Sequence, residues 1–496
     1  MAISEKIKDW RSLRGWRVYF LFFVLGFLLY GRTLFFDFTY LDDNTLILEN
    51  YPIISNIANI DTIFSSDVFL SANKSYYRPL LNLSFMGDTF VGGKLPVIFH
   101  LSNIFLHILV VILIFRLFLK WQGSRILAFC LALLFLVHPV LTQAVAWIPG
   151  RNDSLLTVFV LASFLSFLKF CETPRLRSYV AYLFFLILAL LTKETAVFLP
   201  VLVVFYFLFL ASRPVATSDR YLLVIGSAVV CCLWFLLRHF ALGGETTEYM
   251  AAISGIAQNF PAIFIYLGKL LLPFNLAVFP ILADSNILYG VVALVVFILV
   301  WLFSRHKRNN RIIFGGLWFF LFLLPSFIRI NGLPDFLEHR IYLSFIGFLI
   351  FLAEIDGIKS LDFSRKHVKI VTVVIFLFLA GLTWNHSANF SDRLVFWRSA
   401  VASSPHSPLV QRNMGVMYYY RQDTPRAEEY YLRALALNPR ESMVHNNLGV
   451  IYLDRKEYRR AEQEFREELL INPNYDKALA NLERTEHLLL FQKSPQ

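Results

Sequence analysis

Residues 17–44, RVYFLFFVLGFLLYGRTLFFDFTYLDDN, decide how the chain is organised. A long apolar run leads into an acidic segment, residues 36–44, in which Asp42 and Asp43 are adjacent and Asp37 is a third carboxylate. The apolar run predicts a membrane-spanning helix. A carboxylate this close to hydrocarbon is costly unless it is paired, hydrated or used in function. The alternative is a solvated loop, because Asp and Asn are common turn residues.

The composition is that of a polytopic membrane protein. Of the 496 residues, 57% are hydrophobic, 51 are Phe and only 16% are charged. A soluble protein of this size would contain a larger share of polar and charged residues. The net charge of +11 collects in short loops, where it orients helices in a bilayer rather than binding nucleic acid. The four cysteines lie in or beside apolar runs and predict neither a disulfide framework nor a zinc site.

Eleven apolar runs are predicted to span the membrane with the help of flanking residues. They cover roughly residues 17–36, 97–118, 126–138, 152–170, 179–192, 195–211, 221–239, 286–304, 311–328, 341–355 and 368–384. The basic segment 1–16 places the N-terminus in the cytoplasm, and an odd number of spans places the C-terminus outside. The predicted inner loops hold 20 Lys and Arg residues and the outer loops 8, as the positive-inside rule requires.

Two segments are predicted to lie along the outer face without crossing. Residues 255–280 contain an apolar run but also three prolines, so we interpret them as a re-entrant or interfacial helix. In the first outer loop, residues 36–96, Ile57, Ile60, Phe64 and Val68 recur at helical spacing. They predict a helix on the membrane surface, or alternatively a small helix packed on other loops.

The last 110 residues have a different, charge-dense composition with a 34-residue period. Asn413, Gly415, Ala427, Tyr431, Asn438 and Pro439 match Asn447, Gly449, Ala461, Phe465, Asn472 and Pro473. The period and its small and proline positions predict tetratricopeptide repeats, two full units with flanking half-units. Tyr418, Tyr419 and Tyr420 suggest an aromatic surface for a peptide.

Polar residues gather at the predicted outer ends of the spans. They are Tyr77 and Arg78, His138, Arg151 and Asp153, Lys193 and Glu194, and His339 and Arg340. A local alternative exists for two of these clusters: an interfacial ion pair for Lys193 and Glu194, and a helix-cap pair for Arg151 and Asp153. Cations at an interface suit a phosphate, and a nearby carboxylate suits removal of a proton from a nucleophile. The combination predicts an enzyme that uses a lipid-linked phosphate donor.

These motifs, in this order and followed by repeats, resemble the transmembrane and tetratricopeptide-repeat (TMTC-like) O-mannosyltransferases of the GT-C superfamily. The matching residues are Asp42-Asp43, Tyr77-Arg78-Pro79-Leu80, His138-Pro139, Gly150-Arg151-Asn152-Asp153, Lys193-Glu194, Pro273-Phe274-Asn275-Leu276 and His339-Arg340-Ile341-Tyr342-Leu343. The chain departs from the family at Leu41, at Ser344 and in its short repeat array, which favours a bacterial or archaeal protein.

The resemblance implies an inverting glycosyltransferase that moves a sugar from a polyprenyl-phosphate donor to an extracytoplasmic acceptor, as in protein O-glycosylation. Asp42 or Asp43 is expected to be the base. Arg78 and Arg340, with Lys193 or Arg151, are expected to stabilise the leaving phosphate. The expected supporting residues are Asp37, Tyr77, His138, Asp153, Glu194 and His339. Asp42 and Asp43 would also be the ligands of a divalent metal, Mg²⁺ or Mn²⁺, if one takes part.

The predicted fold class is therefore all-α, with a polytopic helical bundle over residues 1–384 and an extracytoplasmic repeat solenoid over residues 385–496. The predicted localisation is a prokaryotic cytoplasmic membrane, and the repeats are expected to bind a protein acceptor. The alternative function is a non-enzymatic scaffold or lipid-carrier-binding protein whose repeats recruit a partner. The acidic motif favours the enzyme, because a scaffold has no use for Asp42 and Asp43 beside interfacial arginines.

Overall fold

The computed structural model describes residues 15–70, 76–122, 124–211, 216–243, 255–305, 308–328 and 336–493. The regular elements of these residues are helical, which confirms the predicted all-α class. The chain divides into two compact units. The membrane unit comprises Met1–Leu276 and Asn286–Asp392, and the repeat unit comprises Ala277–Ser285 and Arg393–Gln496.

The membrane unit is a bundle of thirteen main helices among the described residues. They are α1 Arg17–Tyr30, α2 Pro79–Gly92, α3 Pro96–Gln122, α4 Arg125–Val137, α5 Arg151–Glu172, α6 Leu176–Thr192, α7 Leu199–Phe209, α8 Thr217–Ala241, α9 Ala262–Leu271, α10 Leu288–Phe303, α11 Asn309–Leu323, α12 Phe345–Ala353 and α13 Lys366–Ser387. Short helical turns lie between them, at Tyr51–Ile54, Ile60–Ser65, Gln143–Ala146 and Asp356–Lys359.

Six helical segments of the described chain are long and apolar enough to cross a membrane, or seven if one bent pair counts as a span. They are Arg17–Phe35, Pro96–Gln122, Ile148–Glu172, Thr217–Ala241, Asn309–Phe327 and Lys366–Phe390, and the bent pair is Arg125–Val137 with Pro139–Ala146. The multi-pass character is thus confirmed, whereas the other predicted spans are helices too short to meet this test. Leu176–Thr192, Glu194–Phe209 and Leu288–Phe303 are short apolar helices, and α12 has nine residues.

Burial ranks the helices from the centre of the bundle outward. In the apolar window of Ile148–Glu172, 67% of the residues are buried, against 6% in that of Lys366–Phe390. The helix that contains Arg151 and Asp153 is therefore central, and the last helix is peripheral. The 54° bend of the seventh candidate span falls at His138, because Pro139 has no backbone N–H with which to continue the helix.

The two predicted surface segments are helical but short. Ile57–Asn59 and Ile60–Ser65 form nine consecutive helical residues on which Ile57 is 71% exposed, whereas Val68 lies beyond the helix end and is buried. Helix α9 has ten residues and is about 15 Å long, half of what a span requires.

The repeat unit consists of antiparallel helix pairs at the predicted period. Its helices are α14 Arg393–Ser403, α15 Pro408–Tyr420, α16 Thr424–Leu437, α17 Val444–Asp454, α18 Tyr458–Ile471 and α19 Asp476–Lys493. Residues Ala277–Ser285 pack into this unit: the Ser404 hydroxyl donates to the Phe279 carbonyl at 2.6 Å, and His406 Nδ1 lies 2.6 Å from Asp284 Oδ1.

The tyrosines of α15 are largely engaged inside the repeat unit. Tyr418 stacks on Tyr430 with ring centres 5.4 Å apart, and the Tyr419 hydroxyl donates to Asp454 at 2.9 Å. Tyr420 is 53% exposed. The aromatic peptide surface stays a prediction, for which Tyr420 is the exposed ring.

A Gly449→Val substitution tests the repeat packing. Gly449 lies against the Phe465 ring, so that a Cβ atom would overlap it. We expect overpacking to destabilise the repeat unit by about 1–3 kcal/mol, measured as faster limited proteolysis of the repeats in the full-length protein. The control is Gly316→Val in α11, where nothing lies within 4 Å of the added carbon. Equal resistance of the two variants would contradict the packing.

Candidate active site

The acidic segment forms a tight turn that is held by one of its own carboxylates. Asp43 is fully buried; its Oδ2 accepts hydrogen bonds from the Thr39 backbone N–H at 2.6 Å and hydroxyl at 3.1 Å, and its Oδ1 accepts from Leu41 N–H at 3.1 Å. Burial raises the pKa of Asp43, although these hydrogen bonds oppose the shift. Asp43 therefore stabilises the turn.

The turn presents the other two carboxylates differently. Asp42 is half-buried, and its carbonyl accepts from Leu46 N–H at 2.8 Å at the start of a π-helical segment, Asn44–Glu49. Tyr40 has φ of +62°, a left-handed conformation that is rare for a bulky residue and marks local strain. Asp37 is exposed, and its Oδ1 accepts from Phe38 N–H at 2.8 Å. Asp42 is thus the more exposed residue of the adjacent pair.

Arg78 and Glu194 form a bidentate ion pair between the first loop and the turn after α6. Arg78 Nη2 lies 2.5 Å from Glu194 Oε1, and Nε lies 3.0 Å from Oε2. Burial alone would lower the pKa of Arg78, but the Glu194 carboxylate raises it above its ordinary value. The Asn152 amide, with its oxygen 3.0 Å from Arg78 Nη1, completes the shell. Glu194 and Asn152 contact the guanidinium from two sides and so fix its orientation.

A second ion pair lies next to the first in sequence and joins a histidine. Lys193 Nζ lies 2.8 and 3.0 Å from the two oxygens of Asp153, and His339 Nε2 lies 3.8 Å from Asp153 Oδ2. The His339 ring and backbone N–H both face Gln143 Oε1, at 3.2 and 3.1 Å. We call Arg78, Glu194, Lys193, Asp153 and His339 the charged network. It contains both residues of one predicted cluster and one residue from each of three others.

Arg151 is placed differently from its sequence neighbour Asp153. It is 1% exposed and pairs with Asp88 at 2.5 Å. Its guanidinium also donates to the Asn103 side chain at 2.8 Å and to the Phe99 carbonyl at 2.7 Å. With its nitrogens directed at protein acceptors, Arg151 joins α2, α3 and α5.

The remaining predicted residues surround the network. Arg340 follows His339 and is half-buried. Tyr77 is buried, and its hydroxyl has no hydrogen-bond partner among the described residues. His138 Nε2 lies 3.2 Å from the Leu270 carbonyl. In the described part of the chain no group of three or more His, Cys, Asp or Glu side chains is arranged to hold a metal, and a Mg²⁺ or Mn²⁺ ion at Asp42 and Asp43 stays a prediction.

One buried cluster was missed by sequence reasoning. Lys269 Nζ lies 2.7 Å from Glu338 Oε1, and His386 Nε2 lies 2.9 Å from Glu338 Oε2. All three side chains are buried. Burial would raise the pKa of Glu338, but Lys269 and His386 hold it below its ordinary value. The available signals were Glu338 directly before His339 and Lys269 as the one charge in the apolar run 259–273.

An apolar groove of about 230 Å³ lies beside this cluster. Its lining residues are Leu134, His138, Leu270, Leu271, Pro273, Phe274, Phe348, Ile375, Phe378 and Leu379. His138 is the polar side chain of this lining, and Leu270 directly follows Lys269. The groove is chemically suited to a hydrocarbon chain.

Two family models match parts of this chain. Residues 90–237 match the family described as dolichyl-phosphate-mannose-protein mannosyltransferase, and residues 430–463 match a tetratricopeptide repeat. The first segment contains Asp153, Lys193 and Glu194 of the charged network, whereas Asp42 and Arg340 lie outside it.

The relatives that this chain resembles are named protein O-mannosyl-transferases. The chain is 36% identical to mouse protein O-mannosyl-transferase TMTC2 over 154 residues, which cover 30% of this chain and 18% of the relative. Drosophila melanogaster protein O-mannosyl-transferase Tmtc1 is 33% identical over 202 residues, 40% and 23% of the two chains. A protein O-mannosyl-transferase of Caenorhabditis elegans is 24% identical over 424 residues, 80% and 59% of the two chains. The chain thus spans less than two thirds of these relatives, and the predicted TMTC-like resemblance is confirmed.

A double-mutant cycle on Arg78 and Glu194 tests the bidentate ion pair. Each single change to Gln leaves a partly buried charge without its partner, so we expect a coupling energy of about 1–3 kcal/mol in thermal unfolding. The control cycle uses Arg365 and Asp362, an exposed pair on one turn, where we expect about 0.5 kcal/mol or less. Additive effects at Arg78 and Glu194 would show that the pair does not hold the first loop.

Proposed function

We propose that this chain, which combines the mannosyltransferase segment and the repeats of the TMTC-like O-mannosyltransferases, is an integral membrane glycosyltransferase. It would transfer mannose from a polyprenyl-phosphate carrier to a hydroxyl of a protein acceptor. The observation that carries the proposal is that the family-matched segment supplies Asp153, Lys193 and Glu194, which meet Arg78 and His339 in one charged network.

The proposed base is Asp42. A base must reach the proton that it removes, and both oxygens of Asp43 are occupied by the turn. The Asp42 carboxylate takes the proton of the acceptor hydroxyl. The hydroxyl oxygen then forms the bond to the anomeric carbon while the bond from that carbon to the phosphate oxygen breaks. The configuration inverts, and polyprenyl phosphate leaves with the electron pair.

Cations rather than a strong acid are required for this leaving group, because phosphate departs as an anion. We assign phosphate binding to Arg340 and Arg78, with Lys193 in support. The ion pairs with Glu194 and Asp153 keep Arg78 and Lys193 in fixed positions before the donor arrives. The contacts of Arg151 inside the bundle favour a positioning role over the phosphate contact expected from sequence.

The apolar groove is the proposed seat of the first isoprene units of the carrier. Its wall residue Leu270 neighbours Lys269, which pairs with Glu338, and Glu338 directly precedes His339. A lipid chain in this groove would bring its phosphate toward the charged network. Hydrocarbon in the groove and phosphate at the polar end match the two halves of a polyprenyl phosphate.

The proposed topology has eleven spans and the domains 1–384 and 385–496. Helices α6, α7, α10 and α12 would cross with flanking turns or where the bilayer thins. The N-terminus would then be cytoplasmic, and the repeats would lie outside with Asp42. There they would hold a protein acceptor at high effective concentration.

Replacing Asp42 by Asn tests the proposed base. We expect transfer from polyprenyl-phosphate mannose to fall by roughly 10²-fold or more, as for the loss of a general base, with the unfolding temperature unchanged. Asp43→Asn is the matched control: it loses hydrogen-bonding capacity in a buried turn, so we expect it to lower the unfolding temperature. Wild-type transfer by Asp42→Asn would show that Asp42 is not the base, whereas a wild-type protein that transfers no sugar would favour the scaffold function.

Thiol labelling tests the topology in a variant whose native cysteines are replaced. Arg440→Cys in the repeats should react with an impermeant thiol reagent on intact cells, and Asn309→Cys at the start of α11 should not. Both positions are exposed, so burial does not explain a difference. The reverse pattern would mean that the number of spans before the repeats is even.

A further inference from the structure

The last membrane helix is buried at one end only. Most of α13 faces outward, and its buried side chains are Leu379, Thr383, His386 and Ser387, all near its C-terminus. A helix that needed only to cross the membrane would have no reason to bury polar side chains at one end. The contacts of this end are therefore informative.

His386 bonds to the element that carries His339 and Arg340. Its Nε2 lies 2.9 Å from Glu338 Oε2, and its Nδ1 lies 3.3 Å from the Asn389 amide nitrogen. Since a carboxylate only accepts and an amide nitrogen only donates, these partners place the proton on Nε2. Lys269 balances the Glu338 charge from the other side. His386 thus fixes the position of Glu338 within a buried cluster whose three side chains are joined by hydrogen bonds.

The next residue bonds to Arg32, which lies just before the acidic segment. Ser387 Oγ accepts from Arg32 Nε at 3.1 Å and from Nη2 at 2.7 Å, and the Arg32 guanidinium lies 4.3 Å from the centre of the Trp384 ring. Four residues further on, the Ser391 carbonyl accepts from Asp37 N–H at 2.8 Å. The entry to the turn of Asp42 is therefore attached to the same end of α13.

We infer that residues 384–391 are a positioning element that sets the distance between the Asp42 turn and the Glu338–Arg340 turn. The two turns are about 300 residues apart in sequence. His386 bonds to Glu338 in one turn, and the Ser391 carbonyl bonds to Asp37 at the entry to the other, just after Arg32, which Ser387 holds. The inference rests on the proposed function for its catalytic meaning, because these turns carry the proposed base and a proposed phosphate ligand. His386 and Ser387 would act through other residues and would not touch substrate.

A displaced base should slow the chemical step and leave donor binding intact. A misplacement of about 1 Å costs on the order of 10²-fold in a reaction that depends on alignment. For Ser387→Ala we expect transfer kcat to fall about tenfold or more, with the donor KM within about twofold. Hydrolysis of the donor by water should fall less than transfer, since water needs less exact alignment than a bound acceptor.

The experiment measures kcat and KM in proteoliposomes with dolichyl-phosphate mannose and a Ser/Thr-rich acceptor peptide. The variants are Ser387→Ala, His386→Ala and His386→Gln, the last of which keeps a donor for Glu338 and should recover most of the kcat. The matched control is Thr383→Val. This substitution also removes one buried hydrogen bond, from the Thr383 hydroxyl to the Val137 carbonyl at 2.7 Å. That bond connects to neither of the two turns. We expect the control to retain wild-type kinetics.

Hydrogen exchange gives a readout that is independent of activity. The amides of residues 36–41 should exchange faster in Ser387→Ala than in Thr383→Val. Unchanged exchange, wild-type kcat in Ser387→Ala and His386→Ala, or a loss confined to donor KM would overturn the inference. If the wild-type protein transfers no sugar, the proposed function fails, whereas the exchange comparison still decides whether residues 384–391 hold the turn.

Discussion

The bidentate ion pair between Arg78 and Glu194 is the interaction on which the candidate site depends. It crosses 116 residues of sequence and attaches the first loop to the turn after α6, where Lys193 and Asp153 form a second pair. Charges removed from water at the edge of a bilayer are stable only when they are paired and hydrogen-bonded. The pairing therefore determines where α2, α5 and α6 meet, and it keeps two cations in place without a substrate.

This arrangement has a consequence for the proposed reaction. Each ion pair joins one cation to one carboxylate, so the two pairs carry no net charge, and the phosphate of the proposed donor would enter a field of fixed dipoles and shared cations. The acidic turn is stabilised differently: the buried Asp43 carboxylate accepts hydrogen bonds from the backbone of the turn, and Asp42 stays half-buried. One half of the proposed site is rigid through ion pairs, and the other through a strained turn. The end of α13 bonds to Glu338, which directly precedes His339 of the charged network, and to Asp37 at the entry to the acidic turn.

Local patterns predicted the features that local physics decides. Apolar runs of sufficient length became helices. The 34-residue period became paired helices because a glycine meets an aromatic ring in each repeat, Gly415 with Tyr431 and Gly449 with Phe465. Lys193 and Arg78 were identified as cations at one face, but their partners were not. Partner choice depends on which helices pack together: Asp88 with Arg151, and Glu338 with both Lys269 and His386, are pairs far apart in sequence. The same holds for the unequal roles of Asp42 and Asp43, which the burial of one of them decides.

The most direct test of the account is the identity of the sugar donor. Purified wild-type protein in liposomes should be offered labelled mannose on a polyprenyl phosphate and, separately, on a nucleotide, each with the same protein acceptor. We expect label to move to acceptor hydroxyls from the polyprenyl phosphate alone. One polyprenyl phosphate should be released per sugar transferred, and the configuration at the anomeric carbon should invert. Transfer from the nucleotide, or retention of configuration, would contradict it.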